Sequence, residues 1–118
     1  MGQDNLPLAG MKVVEFEGIG PGPLAGRMLC DLGAEVTVIG RPRRAEQSLP
    51  PSMMPRADAP LLRGKRQEPL NLKQEAGKAR ALELIARADV LIEGYRPGVM
   101  ERLGLGPTAC AAVNARLV

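Results

Sequence analysis

The chain has 118 residues, 45% of them apolar, and its 16 basic and 13 acidic side chains give a formal net charge of +3. The length suits one domain, and a single tyrosine, a single phenylalanine and no tryptophan leave no aromatic platform for stacked bases, which argues against nucleic-acid binding. No apolar run reaches membrane-spanning length, no secretory signal begins the chain and the two cysteines lack metal-site spacing, so we expect a cytoplasmic protein without a metal.

The first third of the chain predicts a strand, a helix and a second strand after a leader at residues 1–10. Met11–Phe16 is a short apolar run typical of a buried strand. Pro23 suits the first turn of a helix, and Gly33 is placed to end it. The predicted apolar face of this helix consists of Leu24, Met28, Leu29 and Leu32. Glu35–Ile39 is the second strand, and such a crossover predicts parallel strands with a right-handed connection.

Residues 40–68 interrupt this alternation with five prolines and many arginines, which predict a long Pro/Arg-rich loop. Its basic residues, Arg63, Lys65 and Arg66 among them, indicate a solvated face of this loop, and the alternative is a pocket for a polyanionic small molecule. The elements predicted after the loop are a strand at Pro69–Leu72, a helix at Gln74–Ala88 with Ala79, Leu82, Ile85 and Ala86 on one face, a strand at Val90–Glu93, helices at Val99–Leu103 and Pro107–Asn114, and the start of a strand at Leu117–Val118. Alternating strands and helices indicate an α/β fold with a parallel sheet and flanking helices.

The glycine-rich turn between the first strand and helix does not match a dinucleotide-binding fingerprint. Its spacing is G-x-G-x-G, and Pro21 and Pro23 have no N–H to donate to a pyrophosphate. An acid that would bind a ribose hydroxyl is absent after the second strand, where Gly40 and Arg41 stand instead, so NAD is disfavoured. An arginine there suits a sugar phosphate and can stack on a purine, which leaves NADP, coenzyme A and an ordinary surface arginine as alternatives.

Three phrases in fixed order carry a resemblance to a known family: Gly18–Pro23, Ala88–Gly98 and Arg102–Pro107. Together they resemble family III CoA-transferases (the CaiB/BaiF type), and the Gly-Ile-Gly-Pro-Gly-Pro form is most similar to the α-methylacyl-CoA racemase branch. The sequence departs from the family pattern at Gly40 and Asn71, where acids are usual. The resemblance implies a Rossmann-like fold that is incomplete, because the chain matches only the N-terminal half of a larger domain.

The resemblance also implies an acyl-CoA ligand, with coenzyme A as part of the substrate and no prosthetic group. The coenzyme A contacts that it implies are Arg41, Leu70, Lys73, Gly94, Tyr95 and Arg102. Ordinary structural roles remain as alternatives: Lys73 as a strand-end lysine, Tyr95 as a packed residue that caps the sheet, and Arg102 on a solvated helix face. For the full-length family the resemblance implies a homodimer.

The chemistry implied by the resemblance is removal and return of the α-proton of a 2-methylacyl-CoA, which needs two acid–base groups. The family supplies them from a later part of the chain, and this sequence has no histidine and no aspartate in a matching motif. We therefore assign no catalytic residue and expect the chain alone to be inactive. The alternatives are CoA transfer between carboxylic acids and a non-catalytic CoA-binding or assembly module.

Overall fold

A computed structural model describes residues 5–42 and 60–118. Within them lie four strands and four helices, in chain order β1 (Lys12–Phe16), α1 (Pro21–Asp31), β2 (Glu35–Gly40), β3 (Arg66–Pro69), α2 (Glu75–Ala86), β4 (Val90–Ile92), α3 (Val99–Arg102) and α4 (Pro107–Val113). The first four leader residues and residues 43–59 of the predicted loop lie outside the described part. None of the helices in these two ranges combines the length and apolarity that crossing a bilayer requires.

The sheet has the strand order β3-β2-β1-β4, and every neighbouring pair is parallel. This is the order of the first four strands of the doubly wound Rossmann arrangement. Two hydrogen bonds place Val118 beside β4, since its N–H donates to the carbonyl of Asp89 (3.1 Å) and its carbonyl accepts from Leu91 (2.9 Å). The α/β fold class is confirmed. Leu117–Val118 was predicted to start a strand and is not assigned to one, although these two bonds join Val118 to Asp89 and Leu91.

Side chains alternate across the central strand β1 and so supply two separate apolar clusters. Val14 and Phe16 face the larger cluster, which the helices α2 to α4 complete with buried residues that include Ile85, Met100 and Cys110. Val13 faces the smaller cluster on the α1 side. Glu15 follows the same alternation onto the α1 side, where it is only 1% exposed.

The third strand is observed at Arg66–Pro69 rather than at the predicted Pro69–Leu72, so it begins inside the segment predicted as a loop. Its sequence is polar because, among the residues that the structure describes, it is an edge strand that pairs with β2 alone. The carboxylate of Glu68 accepts two hydrogen bonds from the Arg80 guanidinium on α2 (2.6 and 3.0 Å), and these bonds lower its pKa. Backbone pairing with β2 and this bidentate contact stabilise β3, whose sequence has no apolar pattern that would predict a strand.

The predicted apolar face of α1 is wrong in three of its four members, since only Leu29 packs against the smaller cluster. Leu24, Met28 and Leu32 are 51%, 59% and 44% exposed, whereas Pro23 and Gly26 are the buried residues of the helix. Helix α2 buries two small residues, Gly77 and Ala81, together with the predicted Ile85, and the predicted Leu82 packs against the larger cluster. The predicted members Ala79 and Ala86 are exposed. The periodicity of the sequence predicts the helix face that carries the largest apolar side chains. The face that packs on the sheet also depends on small residues, because they let the helix backbone approach the sheet closely.

Candidate functional site

The carboxyl ends of the four parallel strands meet along one edge of the sheet, which is where open α/β folds bind ligands. Glu17 follows β1, Arg41 follows β2, Leu70 follows β3 and Gly94 lies two residues after β4. Chain order reverses between β1 and β4, since β2 and β3 lie on one side of β1 and β4 on the other. The sequence-predicted residues therefore lie at the exits of three strands on this edge.

Glu17 and Arg41 are joined at the middle of the edge. The Arg41 backbone N–H donates to Glu17 Oε2 at 2.9 Å. A Cβ on Gly40 would lie 2.9 Å from the same oxygen, so the glycine leaves room for the carboxylate. Glu17 thus places a carboxylate beside the backbone of Arg41, although Gly40 stands where an acid is usual in the family. The Arg41 backbone is held by this hydrogen bond, and its side chain is exposed.

Tyr95 lies in the same region and is half-buried. Its ring packs edge-on against Phe16, with centroids 6.4 Å apart and an interplanar angle of 69°, and its N–H donates to Glu93 Oε2 at 2.9 Å. Burial raises the pKa of its hydroxyl, and the charges of Glu17 and Glu93 raise it further against the opposing charge of Arg41. Tyr95 is thus a neutral phenol that can donate a hydrogen bond at the edge.

The remaining predicted residues are spread along the edge. Leu70 is half-buried, and its N–H donates to the Gly40 carbonyl at 2.9 Å, next to Arg41. Lys73 and Arg102 are exposed and follow the two outer strands, which are three strand spacings apart, roughly 14 Å. Gly94 is exposed and has open space where a Cβ would stand. The structure groups Arg41, Leu70 and Tyr95 and places Lys73 and Arg102 on either side.

A cleft of about 1070 Å³ opens on the α1 side of this edge. Its floor contains Glu15, Val38 and Gln67, which are direct neighbours across β1, β2 and β3. Its walls and mouth are formed by Ile19, Pro23, Arg41, Pro42, Leu61 and Leu62, among others. The cleft was not predicted from the sequence, because one of its walls lies in the segment predicted as a loop and the other, at Pro23, lies outside the predicted apolar face of α1.

A buried ion pair lies beneath α1 at the floor of the cleft. The Lys65 ammonium donates to Glu15 Oε1 at 2.7 Å and to the Pro23 carbonyl at 2.8 Å, and the Lys65 and Glu15 side chains are 0% and 2% exposed. Burial raises the pKa of Glu15 against the lowering influence of Lys65. The prediction that Lys65 belongs to a solvated face is wrong, because its partner lies fifty residues away in sequence. Among the described residues no cluster of His, Cys, Asp or Glu is placed to hold a metal ion.

A parallel sheet in Rossmann order, with basic and neutral donors along its carboxyl edge and an apolar cleft beside it, defines an α/β domain of the ligand-binding type. The family model of CoA-transferase family III matches residues 8–118. The chain belongs to that family, as its three sequence phrases indicated.

The similar proteins include one named as a transferase and one named as a racemase. The chain is 41% identical over 118 residues to the probable fatty acyl-CoA transferase Rv3272 of Mycobacterium tuberculosis, covering 95% of this chain and 30% of that protein. It is 41% identical over 114 residues to the human alpha-methylacyl-CoA racemase, covering 96% and 27%. An orthorhombic crystal structure of Rv3272 superposes with a TM-score of 0.81 at 41% identity, covering 96% of this chain and 33% of the other. The chain spans less than a third of the length of these two curated relatives.

Proposed function

We propose that this chain is the acyl-CoA-binding segment of an α-methylacyl-CoA racemase-like enzyme. The observation that carries the proposal is the position of Arg41, which leaves β2 at the mouth of an apolar cleft and close enough to Tyr95 to influence its pKa. A purine with a sugar phosphate needs an apolar surface and a basic group side by side. A guanidinium suits this task because it can stack on the ring and bind the phosphate through two parallel hydrogen bonds.

The charges around the cleft favour one orientation of the coenzyme. Glu15, Glu17 and Glu68 all line the cleft, and carboxylate oxygens accept hydrogen bonds but offer none to a phosphate, so the cleft suits the purine and the phosphates belong outside it. Lys73 and Arg102 lie on either side of Arg41 along the edge, and a long ligand can reach both. The open space at Gly94 lets a ligand approach the backbone, and the neutral Tyr95 hydroxyl supplies a donor for a carbonyl or phosphate oxygen.

The proposed role is binding, and the proton transfers at the α-carbon are assigned to the part of the relatives that this chain does not cover. A family III CoA-transferase that moves CoA between carboxylic acids is the second candidate, because the chain is equally similar to a named transferase and a named racemase. A binding or assembly module without catalysis is the third. Deuterium uptake at the α-carbon of a 2-methylacyl-CoA identifies a racemase, and CoA exchange between two carboxylates identifies a transferase.

Arg41→Ala is expected to weaken CoA binding by about tenfold, which corresponds to about 1.4 kcal/mol. A charge-assisted hydrogen bond contributes roughly 1.5–3 kcal/mol when well formed, and exposure of the arginine reduces this value. Calorimetry on the unaltered chain should give a CoA dissociation constant between roughly 0.1 and 1 mM, with weaker binding at higher salt and weaker binding of dephospho-CoA.

Arg87→Ala is the matched control, because it removes the same charge from an exposed residue just before β4, at the opposite edge of the sheet. It should leave CoA binding unchanged. Equal affinity for CoA and dephospho-CoA, or binding of NADP without CoA, would contradict the proposed ligand.

A further inference from the structure

The turn at Pro60–Lys65 forms one wall of the cleft and is attached to α1 at both of its ends. At the first end, the Arg27 guanidinium donates to the Pro60 carbonyl. At the other end, the Lys65 ammonium donates to the Pro23 carbonyl in the first turn of α1. Between them, Cys30 Sγ lies 3.9 Å from the Arg63 carbonyl oxygen. The turn is therefore fastened along the length of the helix.

The Lys65 attachment differs from the others because it is buried and charged. One ammonium joins three elements: the start of β3, which Lys65 precedes, the central strand through Glu15, and α1 through Pro23. Burying two charges carries a desolvation cost that is offset only when the geometry is close and the hydrogen bonds are made. The two bonds of this ammonium, at 2.7 and 2.8 Å, therefore set how closely the start of β3, the central strand and α1 lie.

These elements are also the boundaries of the cleft. Glu15 lies at the floor, Pro23 belongs to the helix wall, and Leu61 and Leu62 belong to the turn that Lys65 ends. The backbone N–H of Lys65 also donates to the Leu62 carbonyl at 3.1 Å. Lys65 therefore contacts the Leu61–Leu62 wall through its backbone and the floor and helix through its side chain. The separation of the two walls thus depends on Lys65.

We propose that Lys65 is a positioning residue for the proposed coenzyme site. Through Glu15 and Pro23 it holds the Leu61–Leu62 wall at the distance from α1 that a flat purine ring requires. It contacts no phosphate, because its ammonium is enclosed by protein oxygens. This role rests on the proposed function, because it takes the nucleotide half of CoA as the ligand. It adds that the purine is recognised at the cleft and the phosphates at the exposed carboxyl edge of the sheet.

The test uses the double variant Glu15→Gln/Lys65→Met, in which no carboxylate is left buried without its partner, together with Lys65→Arg. Two probes are titrated: adenosine 3′,5′-bisphosphate, which carries the purine, and pyrophosphate, which does not. The double variant is expected to lose about tenfold in affinity for the bisphosphate and to keep its affinity for pyrophosphate. Lys65→Arg keeps the positive charge and should recover part of the loss.

Lys78→Met is the control, since it removes the ion pair between Lys78 and Glu75, which lies within α2 and whose two residues do not line the cleft. It should leave the affinities for both probes unchanged. Amide hydrogen exchange supplies a readout that needs no ligand. The backbone amide of residue 65, which donates to the Leu62 carbonyl, should exchange faster in the double variant and not in Lys78→Met, while the buried amides of β1 stay protected in both.

Unchanged bisphosphate affinity or unchanged exchange of the turn in the double variant would overturn the proposal. Equal losses for bisphosphate and pyrophosphate would also overturn it, because they would indicate a general loss of structure rather than a displaced wall. If the unaltered protein binds neither CoA nor the bisphosphate, the proposed function fails and the assignment of a purine to the cleft fails with it. In that case accelerated exchange of the turn would show only that Lys65 anchors it.

Discussion

Gly26→Ala is expected to destabilise the fold by about 3–5 kcal/mol, the cost of disrupting a buried ion pair. A Cβ at this position would lie 1.7 Å from Glu15 Oε1 and 3.0 Å from Lys65 Nζ. Side-chain atoms usually move aside, but these two are enclosed and bonded to each other, so Glu15 can withdraw only by leaving Lys65. The alternative is for α1 to move away from the sheet and open the cleft. Urea unfolding followed by circular dichroism measures the change.

Gly22→Ala is the matched control on the same helix. The nearest atom to its added Cβ would be Ile92 Cγ2 at 3.7 Å, an ordinary contact. Alanine is favoured over glycine inside a helix by about 1 kcal/mol, so this variant should be neutral or more stable. A Gly26→Ala variant as stable as the Gly22→Ala variant would show that α1 does not lie directly on the ion pair.

Gly77→Ala is the second substitution with a large expected effect, a loss of about 3 kcal/mol. Its Cβ would lie 2.0 Å from the Asn71 carbonyl oxygen and 2.7 Å from the carbonyl carbon. These are backbone atoms, so no side-chain rotation relieves the overlap. The same carbonyl accepts the N–H of Gln74 at the start of α2. The displaced segment carries Leu70 and Lys73, and CoA binding should weaken together with stability.

Ala79→Gly serves as the comparison for this helix, because Ala79 is exposed and the change acts through helix propensity alone, at about 1 kcal/mol. Propensity by itself would make Gly77→Ala stabilising. A rise in the urea midpoint of Gly77→Ala would therefore contradict the close approach of α2 to Asn71.

Most of the fold could be predicted from the sequence. Two wrong predictions, the position of β3 and the buried face of α1, both concern residues that show no pattern of large apolar side chains. β1, β2 and β4 are apolar runs, and their positions were predicted to within a residue or so. β3 was misplaced because Arg66, Gln67 and Glu68 form an edge strand held by backbone pairing and by Arg80, neither of which leaves an apolar pattern. The buried face of α1 was misjudged because it is made by a proline and a glycine, residues that a search for large apolar side chains passes over.

The candidate site divides in the same way. The resemblance to a family supplied Arg41, Leu70 and Tyr95, and the structure groups them at one edge. The cleft and its ion pair were not predictable from pattern, since Lys65 meets Glu15 only after β3 has paired with β2 and α1 has packed on the sheet. A lysine in a proline-rich stretch has the sequence character of a solvated residue, and only the folded arrangement buries it.

The most direct test of the central claim is a titration of the ¹⁵N-labelled chain with CoA, followed by amide chemical shifts. We expect amide shifts that grow with CoA concentration along the carboxyl edge, at Arg41, Leu70, Gly94 and Tyr95. With dephospho-CoA the shift at Arg41 should be smaller. Amides at the opposite edge, such as those of Lys12 and Glu35, should stay in place. Shifts confined to that opposite edge, or none at millimolar CoA, would contradict the assignment of this sheet edge as a coenzyme A site.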